Sequence, residues 1–259
     1  MTSPQIHPTA TVDPAAVLGE SVVVGPGAVI EDETAIGDGC RIGSGAVVKR
    51  WTRLGCRNTL KEYAVLGGDP QHAAYRGERT FLEIGDDNVI GEFVTLHRAY
   101  RDGESTRVGN GNYFMAYSHV GHDALVGDHV VFTNYAAAAG HCVIEDRAIL
   151  AGYVGLHQFV RVGTMCMIGG DSKLNKDAVP YMTYLGVPAG PVGVNLVGLR
   201  RNGIPEERRT TLREAFKILF RRSLAVPDAI RALRDELPAT PEIEHIIRFV
   251  EESPRGIAV

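Results

Sequence analysis

Residues 17–48 read VLGESVVVGPGAVIEDETAIGDGCRIGSGAVV. Leu18, Val24, Ile30, Ile36, Ile42 and Val48 fall six residues apart, and Gly19, Gly25, Gly37 and Gly43 follow four of them directly. A helix would need apolar residues at 3.6-residue spacing, so helix is excluded here. A six-residue period with small residues at fixed offsets predicts a parallel β-helix. Each hexad gives a short strand and a tight turn, three hexads close one triangular coil, and the apolar side chain points inward. Glycine after the apolar residue is expected to serve the turn, where positive φ and a missing Cβ are useful.

Outward from that stretch the register reaches back through Val12 to Ile6 and forward through Leu54, Leu60 and Leu66. It resumes at Ile84, Ile90 and Leu96 and runs from Val108 to Leu174, so that 26 of 29 positions are apolar. The breaks are His72, Glu78 and Asp102. Stretches near 68–82 and 98–107 interrupt the hexads while the register modulo six survives, which predicts two loops projecting from the prism. Loops on a rigid scaffold are where binding residues tend to sit. The repeat also explains why 30 of 259 residues are glycine, against roughly 7% in average proteins, without the every-third spacing of collagen.

After Pro180 the hexads stop. Leu212, Ala215, Phe216 and Leu219, and again Ile243, Ile246, Ile247 and Val250, sit at helical spacing. Thr240-Pro241 reads as an N-cap with proline in the first turn, and Asn202-Gly203 and Leu237-Pro238 as stops. The expected organisation is a β-helix over residues 1–186 and a helical domain of three or four helices over 187–259.

No apolar run approaches the ~18 residues of a membrane span, and MTSPQIHPTATVDP has no basic segment followed by an apolar stretch, so no secretory signal is expected. Four scattered cysteines without a CxxC pair suggest a reducing compartment, hence the cytoplasm, and no disulfides. Charge is uneven: residues 200–222 carry eight basic and three acidic side chains, on a chain of net charge −4. Such a face suits an acidic partner or a phosphate group. Nucleic acid is disfavoured by a pI near 6.1 and by the lack of aromatic residues among the basic ones.

Six of nine histidines fall in the stretch from His97 to His157. With eighteen residues per coil, 122 lies below 140 and 158, and 123 lies below 141. His122, Gly140, His141, His157 and Gln158 are therefore expected at one corner of three stacked coils, about 4.8 Å apart. Counted from Val120 and Val126, His122 is not in an inward slot and is expected to be exposed. An imidazole there suits general base work, Asp123 could orient it, and the bare backbone of Gly140 could donate its N–H to a developing oxyanion. No metal or other cofactor is expected. The γ-class carbonic anhydrases bind zinc on a similar coil, but through two histidines five residues apart, whereas His119 and His122 are three apart.

The hexads point to the left-handed β-helix of the hexapeptide-repeat acyltransferase superfamily. Together with His119-Val-Gly-His122-Asp123, Gly140-His141, His157-Gln158-Phe159 and Gly193-Val-Asn195-Leu-Val-Gly-Leu-Arg-Arg201, they resemble the acyl-carrier-protein–UDP-N-acetylglucosamine O-acyltransferase family, which begins lipid A synthesis. The resemblance spans essentially the whole chain. It implies a mainly β protein with a C-terminal helical domain, forming a homotrimer with sites in clefts between prisms. His122 matches the general base, Asp123 its orienting residue and Gly140 the oxyanion donor. Gln71, His72, Tyr75, His119, His141, His157, Gln158, Asn195 and Arg201 match substrate-binding positions, and Gly152 and Gly170 the acyl groove. The basic run fits a docking face for acyl carrier protein.

Four positions depart from the family pattern. His72 and Ala74 stand where aspartate and lysine are usual, and Val197 and Asn202 where glutamate and arginine are. Losing two cations near phosphates removes contacts worth roughly 1.5–3 kcal/mol each. The expected function is transfer of a 3-hydroxyacyl group to the sugar of UDP-N-acetylglucosamine or a close analogue. A 3-amino sugar nucleotide, and a non-catalytic sugar-nucleotide-binding trimer, stand as alternatives.

Overall fold

The computed structural model describes residues 3–259. Its strands are mostly two residues long and parallel, such as Val131–Phe132, Ala137–Ala138 and Val143–Ile144. Each pairs with the strand eighteen residues on: Phe132 with Leu150, Ala138 with Leu156, Ile144 with Val162. The strands stack into three sheets of eleven, nine and eight members, the faces of a triangular prism. The inward residues from Val24 to Leu174 fill it and are almost wholly buried. Ile6 at the N-terminal end is 46% exposed, because no coil lies beneath it.

The two loops lie between the strands Val65–Gly68 and Phe81–Ile84, and between Thr95–His97 and Ser105–Val108. Leu54 pairs with Ile84, thirty residues on, and Ile84 with Val108, twenty-four on. Against an eighteen-residue coil the loops add twelve and six residues. Both are multiples of six, which is why the register survives them.

Apart from Gly67, whose φ is 73°, the glycines that follow the inward residues do not have positive φ. That conformation falls two residues later, on side chains such as Tyr117, Asp123, His129, Tyr135 and His141. What the glycines permit is close stacking. A Cβ on Gly109 would run into Asp128 Oδ1 and lie 2.7 Å from the Gly127 carbonyl oxygen. Asp128 Oδ1 accepts the Asn110 N–H at 2.6 Å, Asp146 Oδ1 that of Asp128 at 2.9 Å, and Asn110 Oδ1 that of Asp86 at 2.8 Å. Side-chain carboxylates and amides thus take the turn N–H groups that the coils leave over along this edge.

A different edge carries exposed rings. Tyr63, Phe93, Tyr117, Tyr135 and Tyr153 stack coil upon coil at centroid spacings of 5.2, 4.9, 5.0 and 4.9 Å.

At the C-terminal end the antiparallel hairpin Met182–Gly186/Ala189–Val194 extends the eleven-stranded sheet across residue 187. Four helices follow: α1 (Leu196–Arg201), α2 (Glu206–Arg221), α3 (Val226–Glu236) and α4 (Pro241–Glu251). Thr240 caps α4 as its sequence suggests, accepting the Ile243 N–H. α4 docks on the prism through His245 Nε2, 3.1 Å from Glu145, and through Phe249 beneath the Arg161 guanidinium at 4.2 Å. Burial pushes the Glu145 carboxyl up, but hydrogen bonds from His245 and Thr164 outweigh it and leave the group below its ordinary value. No described helix is long and apolar enough to cross a membrane.

Candidate active site

Residues 121–124, 139–142 and 157–160 form one edge of the prism in successive coils. Parallel pairing sets the columns: His119 opposite Ala137, and Ala137 opposite Gly155. His122 and Gly140 therefore share a column, as do Asp123, His141 and Phe159. The His141 N–H donates to the His122 carbonyl at 2.9 Å, and the Phe159 N–H to that of Gly140 at 3.1 Å.

His122 and Asp123 are sequence neighbours, yet their side chains meet. They lie in a turn rather than a strand, and Asp123 has φ 58°. His122 Nδ1 donates to Asp123 Oδ2 at 2.5 Å, the tautomer that in a neutral ring puts the lone pair on Nε2. The carboxylate is held in turn: Oδ1 accepts the Tyr100 N–H at 3.4 Å, and the Asp123 N–H donates to Thr106 Oγ1 at 2.7 Å. His122 Nε2 lies over Gly140, where a Cβ would sit only 2.6 Å away. The Gly140 N–H has no partner among the described residues. A base and a free donor thus occupy one corner.

The expected exposure of His122 is not found: it is 7% exposed. It does lie outside the prism, but the two loops cover it. His72 and Tyr100 stack on each other at 3.9 Å, and both stand edge-on to His122, at 5.2 and 5.6 Å. His141 closes the other side at 5.1 Å and is stacked on Phe159 at 4.5 Å. Burial lowers the pKa of His141. His119 sits on the adjoining face, its Nδ1 2.8 Å from Thr95 Oγ1, and burial pushes its pKa down to about 4. His119 is thus a neutral hydrogen-bonding group near neutral pH. His157 and Gln158 are exposed at the top of the same edge.

The first loop brings Tyr75 close as well, its hydroxyl accepting from Arg98 Nη2 at 3.2 Å. Gln71 is exposed on that loop. Three neighbours escaped the sequence reading: Tyr100, Arg98 and His97. His97 Nδ1 donates to the Asp69 carbonyl at 2.7 Å, its ring lies 5.1 Å from His119, and burial lowers its pKa. Counting the six-residue insertion into that coil would have placed His97 in the column of Gly121.

Other expected residues lie elsewhere on this chain. Gly152 and Gly170 share a column, but on the edge of the stacked tyrosines. Asn195 lies at the third edge, and its amide is used by the fold: Oδ1 accepts the Gly198 N–H at 3.0 Å as the cap of α1, and Nδ2 donates to the Met165 carbonyl at 2.8 Å. Arg201 is exposed on α1. The basic run is largely neutralised within the domain. Arg208 pairs with Glu242, Arg209 and Arg213 with Glu206, Lys217 with Glu214 and Arg222 with Glu236. Arg200, Arg201 and Arg221 have no carboxylate partner among the described residues, which leaves a much smaller basic face than composition suggested.

His122, Asp123 and His141 offer three ligand atoms within 4.8 Å, the only trio of metal-ligand type found among the described residues. In this structure His122 Nδ1 and Asp123 Oδ2 of that trio are engaged with each other at 2.5 Å.

Comparison with known proteins places the chain among relatives of one family. Residues 177–258 match the family model described as UDP N-acetylglucosamine O-acyltransferase, domain 2, and residues 4–50 match bacterial transferase hexapeptide repeats. The acyl-[acyl-carrier-protein]–UDP-N-acetylglucosamine O-acyltransferase of Alkalilimnicola ehrlichii is 47% identical over 254 residues, covering 98% of each chain. That of Myxococcus xanthus is 46% identical with the same coverage. Among solved structures, LpxA from Bacteroides fragilis superposes with a TM-score of 0.96 at 37% identity, covering 98% of this chain and 100% of that one. LpxA from Acinetobacter baumannii gives 0.95 at 39%, covering 98% and 99%.

Proposed function

The chain belongs to the acyl-[acyl-carrier-protein]–UDP-N-acetylglucosamine O-acyltransferase family, and on that premise we propose that His122 is its general base and Gly140 its oxyanion donor. The fold is the left-handed β-helix of that family, and the chain is an acyltransferase. One observation carries the assignment of roles: His122 Nε2, its partner nitrogen tied to Asp123, lies against the α-carbon of a glycine whose N–H has no partner among the described residues.

In this reading the acceptor hydroxyl gives its proton to His122 Nε2 as its oxygen attacks the thioester carbonyl of acyl carrier protein. The Gly140 N–H donates to the oxyanion of the tetrahedral intermediate. Asp123 holds the ring and balances the imidazolium. Collapse breaks the C–S bond, and the imidazolium proton passes to the departing sulfur. Neither a metal nor a covalent enzyme intermediate is required. Gln71, His72, Tyr75, His119, His141, His157 and Gln158 are assigned to sugar and acyl binding, and Arg200, Arg201 and Arg221, which lack a carboxylate partner among the described residues, to the face toward acidic acyl carrier protein. The setting is cytoplasmic in this reading, in keeping with four free cysteines.

The placement of residues supports a homotrimer. The positions matched to one substrate groove lie on three different edges of this prism, so they meet only if a second copy brings another edge to His122. The exposed tyrosine ladder beside Gly152 and Gly170 is an apolar edge suited to that contact.

The acceptor is where this chain can differ. His72 lies at the catalytic corner where the family pattern has aspartate, and exposed Ala74 supplies no cation. That favours an altered sugar grip, with a 3-amino sugar nucleotide as the second reading. Incubating 3-hydroxyacyl-carrier protein with UDP-N-acetylglucosamine and its 3-amino analogue tests both. Acyl transfer is expected, falling by about 10²–10⁴-fold in His122→Ala. Transfer at the same rate in that variant would remove His122 from the chemistry.

A further inference from the structure

Tyr100 lies in the shorter loop, and its ring is enclosed by three imidazoles. It is stacked on His72 at 3.9 Å and 19°, edge-on to His122 at 5.6 Å and 75°, and edge-on to His141 at 6.0 Å and 89°. Its backbone N–H donates to Asp123 Oδ1, the carboxylate oxygen that His122 leaves free. Its hydroxyl accepts from Arg101 Nε at 3.0 Å and has no other hydrogen-bond partner among the described residues. The Ala74 N–H donates to His72 Nδ1 at 3.2 Å, fixing the ring that lies on Tyr100 and placing its proton on Nε2.

A dyad built on the outside of a prism is open to water unless something covers it. Water competes for both partners and lets the imidazole rotate, whereas a low-dielectric surround strengthens the hydrogen bond. Tyr100 and His72 are the loop residues whose rings stand against His122, which is 7% exposed.

We propose that Tyr100, with His72 stacked upon it, is the positioning residue that keeps the His122–Asp123 dyad fixed and dry, and that the two rings form one wall of the acceptor site. The proposal rests on the reading of His122 as the base. Tyr100 acts on the reaction through two groups: its backbone N–H holds Asp123, and its ring face excludes water. The hydroxyl is dispensable.

Three variants of the full chain test it: Tyr100→Phe, Tyr100→Leu and His72→Ala. Two readouts are taken, steady-state acyl transfer and the downfield proton resonance of His122 Nδ1–H, assigned by its loss in His122→Ala. Tyr100→Phe is expected to keep kcat within about twofold, since a ring of the same shape remains, and to keep a slowly exchanging resonance. Tyr100→Leu is expected to lower kcat by about 10–100-fold, the scale of a small misplacement of a reacting group. KM for the acyl donor should stay unchanged, and the resonance should exchange away. His72→Ala should fall between the two.

A leucine variant with wild-type kcat and a protected resonance would overturn the proposal, as would a phenylalanine variant as impaired as the leucine one. If Tyr100→Leu does not fold, unchanged kcat and resonance in His72→Ala overturn it instead. A wild-type protein that transfers no acyl group refutes His122 as the base, and the resonance still decides whether Tyr100 holds the dyad.

Discussion

The imidazole of His122 rests on the α-carbon of Gly140, one coil above it, so closely that a methyl group at position 140 would lie 2.6 Å from both Cε1 and Nε2. Gly140→Ala therefore forces the ring to move while leaving the inward core untouched. Turnover is expected to slow by about 100-fold or more, the scale of an ångström of misplacement, with a thermal midpoint close to wild type. Normal turnover in that variant would mean that the ring stands elsewhere during the reaction.

In the proposed mechanism Asp123 sets the tautomer of His122 and balances the charge the ring acquires. Asp123→Asn keeps the shape, but its amide can present either oxygen or nitrogen to Nδ1. It should reduce kcat by about 10²–10⁴-fold and change KM little. A loss expressed mainly in KM would make Asp123 a binding residue.

His119 is held at a pKa of about 4, first by burial and then by the positive charge His97 and His122 would carry. Unfolded, it titrates near 6.5. Between pH 6.5 and 4 the unfolded chain binds the proton that the folded chain refuses. Stability is therefore fully present above about 6.5, falls as the pH drops through this window and levels off below about 4. At roughly 1.4 kcal/mol per unit the term is at most about 3.5 kcal/mol, and His97 and His141, also lowered, act in the same direction. Thermal midpoints at pH 7 and pH 5 should differ less in His119→Gln than in wild type. An equal difference would locate the pH dependence in other groups.

The prism was legible because its core repeats every six residues, so that counting alone stacks 122 on 140 and 123 on 141. Counting could not show that His122 is covered. The cover comes from His72 and Tyr100, and a loop of twelve or six residues has no period from which to read a side chain's position. Periodicity also misjudged the glycines. It located them one residue after the core position, but their need arises from carbonyl groups and aspartate side chains of the next coil. Asn195 shows another limit: a motif can mark a residue while its amide is caught in a helix cap.

Two glycines make that distinction measurable. Gly109 has no room for a Cβ, being packed against Gly127 and the Asp128 carboxylate, whereas a Cβ on Gly193 would meet nothing within 4 Å. Gly109→Ala should destabilise by about 2–4 kcal/mol through overpacking and loss of the Asp128–Asn110 hydrogen bond. Gly193→Ala should stay within about 0.5 kcal/mol of wild type. Equal denaturation midpoints for the two variants would refute the stacking role.

Arg98 is buried to 2% exposure and ties the longer loop to the prism. Its guanidinium donates to the Gly67 carbonyl, to Asp69 Oδ1 at 2.6 Å and to the Tyr75 hydroxyl, and lies 5.0 Å from the Trp51 ring centroid. A lysine has one nitrogen where these contacts need a planar fork. Arg98→Lys would leave at least one of the acceptors unmet, costing roughly 1–3 kcal/mol. The tethered loop carries Gln71 and His72, so the kinetic effect should appear on the acceptor. KM for the nucleotide sugar is expected to rise about tenfold, equivalent to roughly 1.4 kcal/mol, with KM for the acyl carrier protein unchanged. A variant that loses stability while keeping its acceptor KM would show that Arg98 supports the fold alone, and that the loop finds its place over His122 without it.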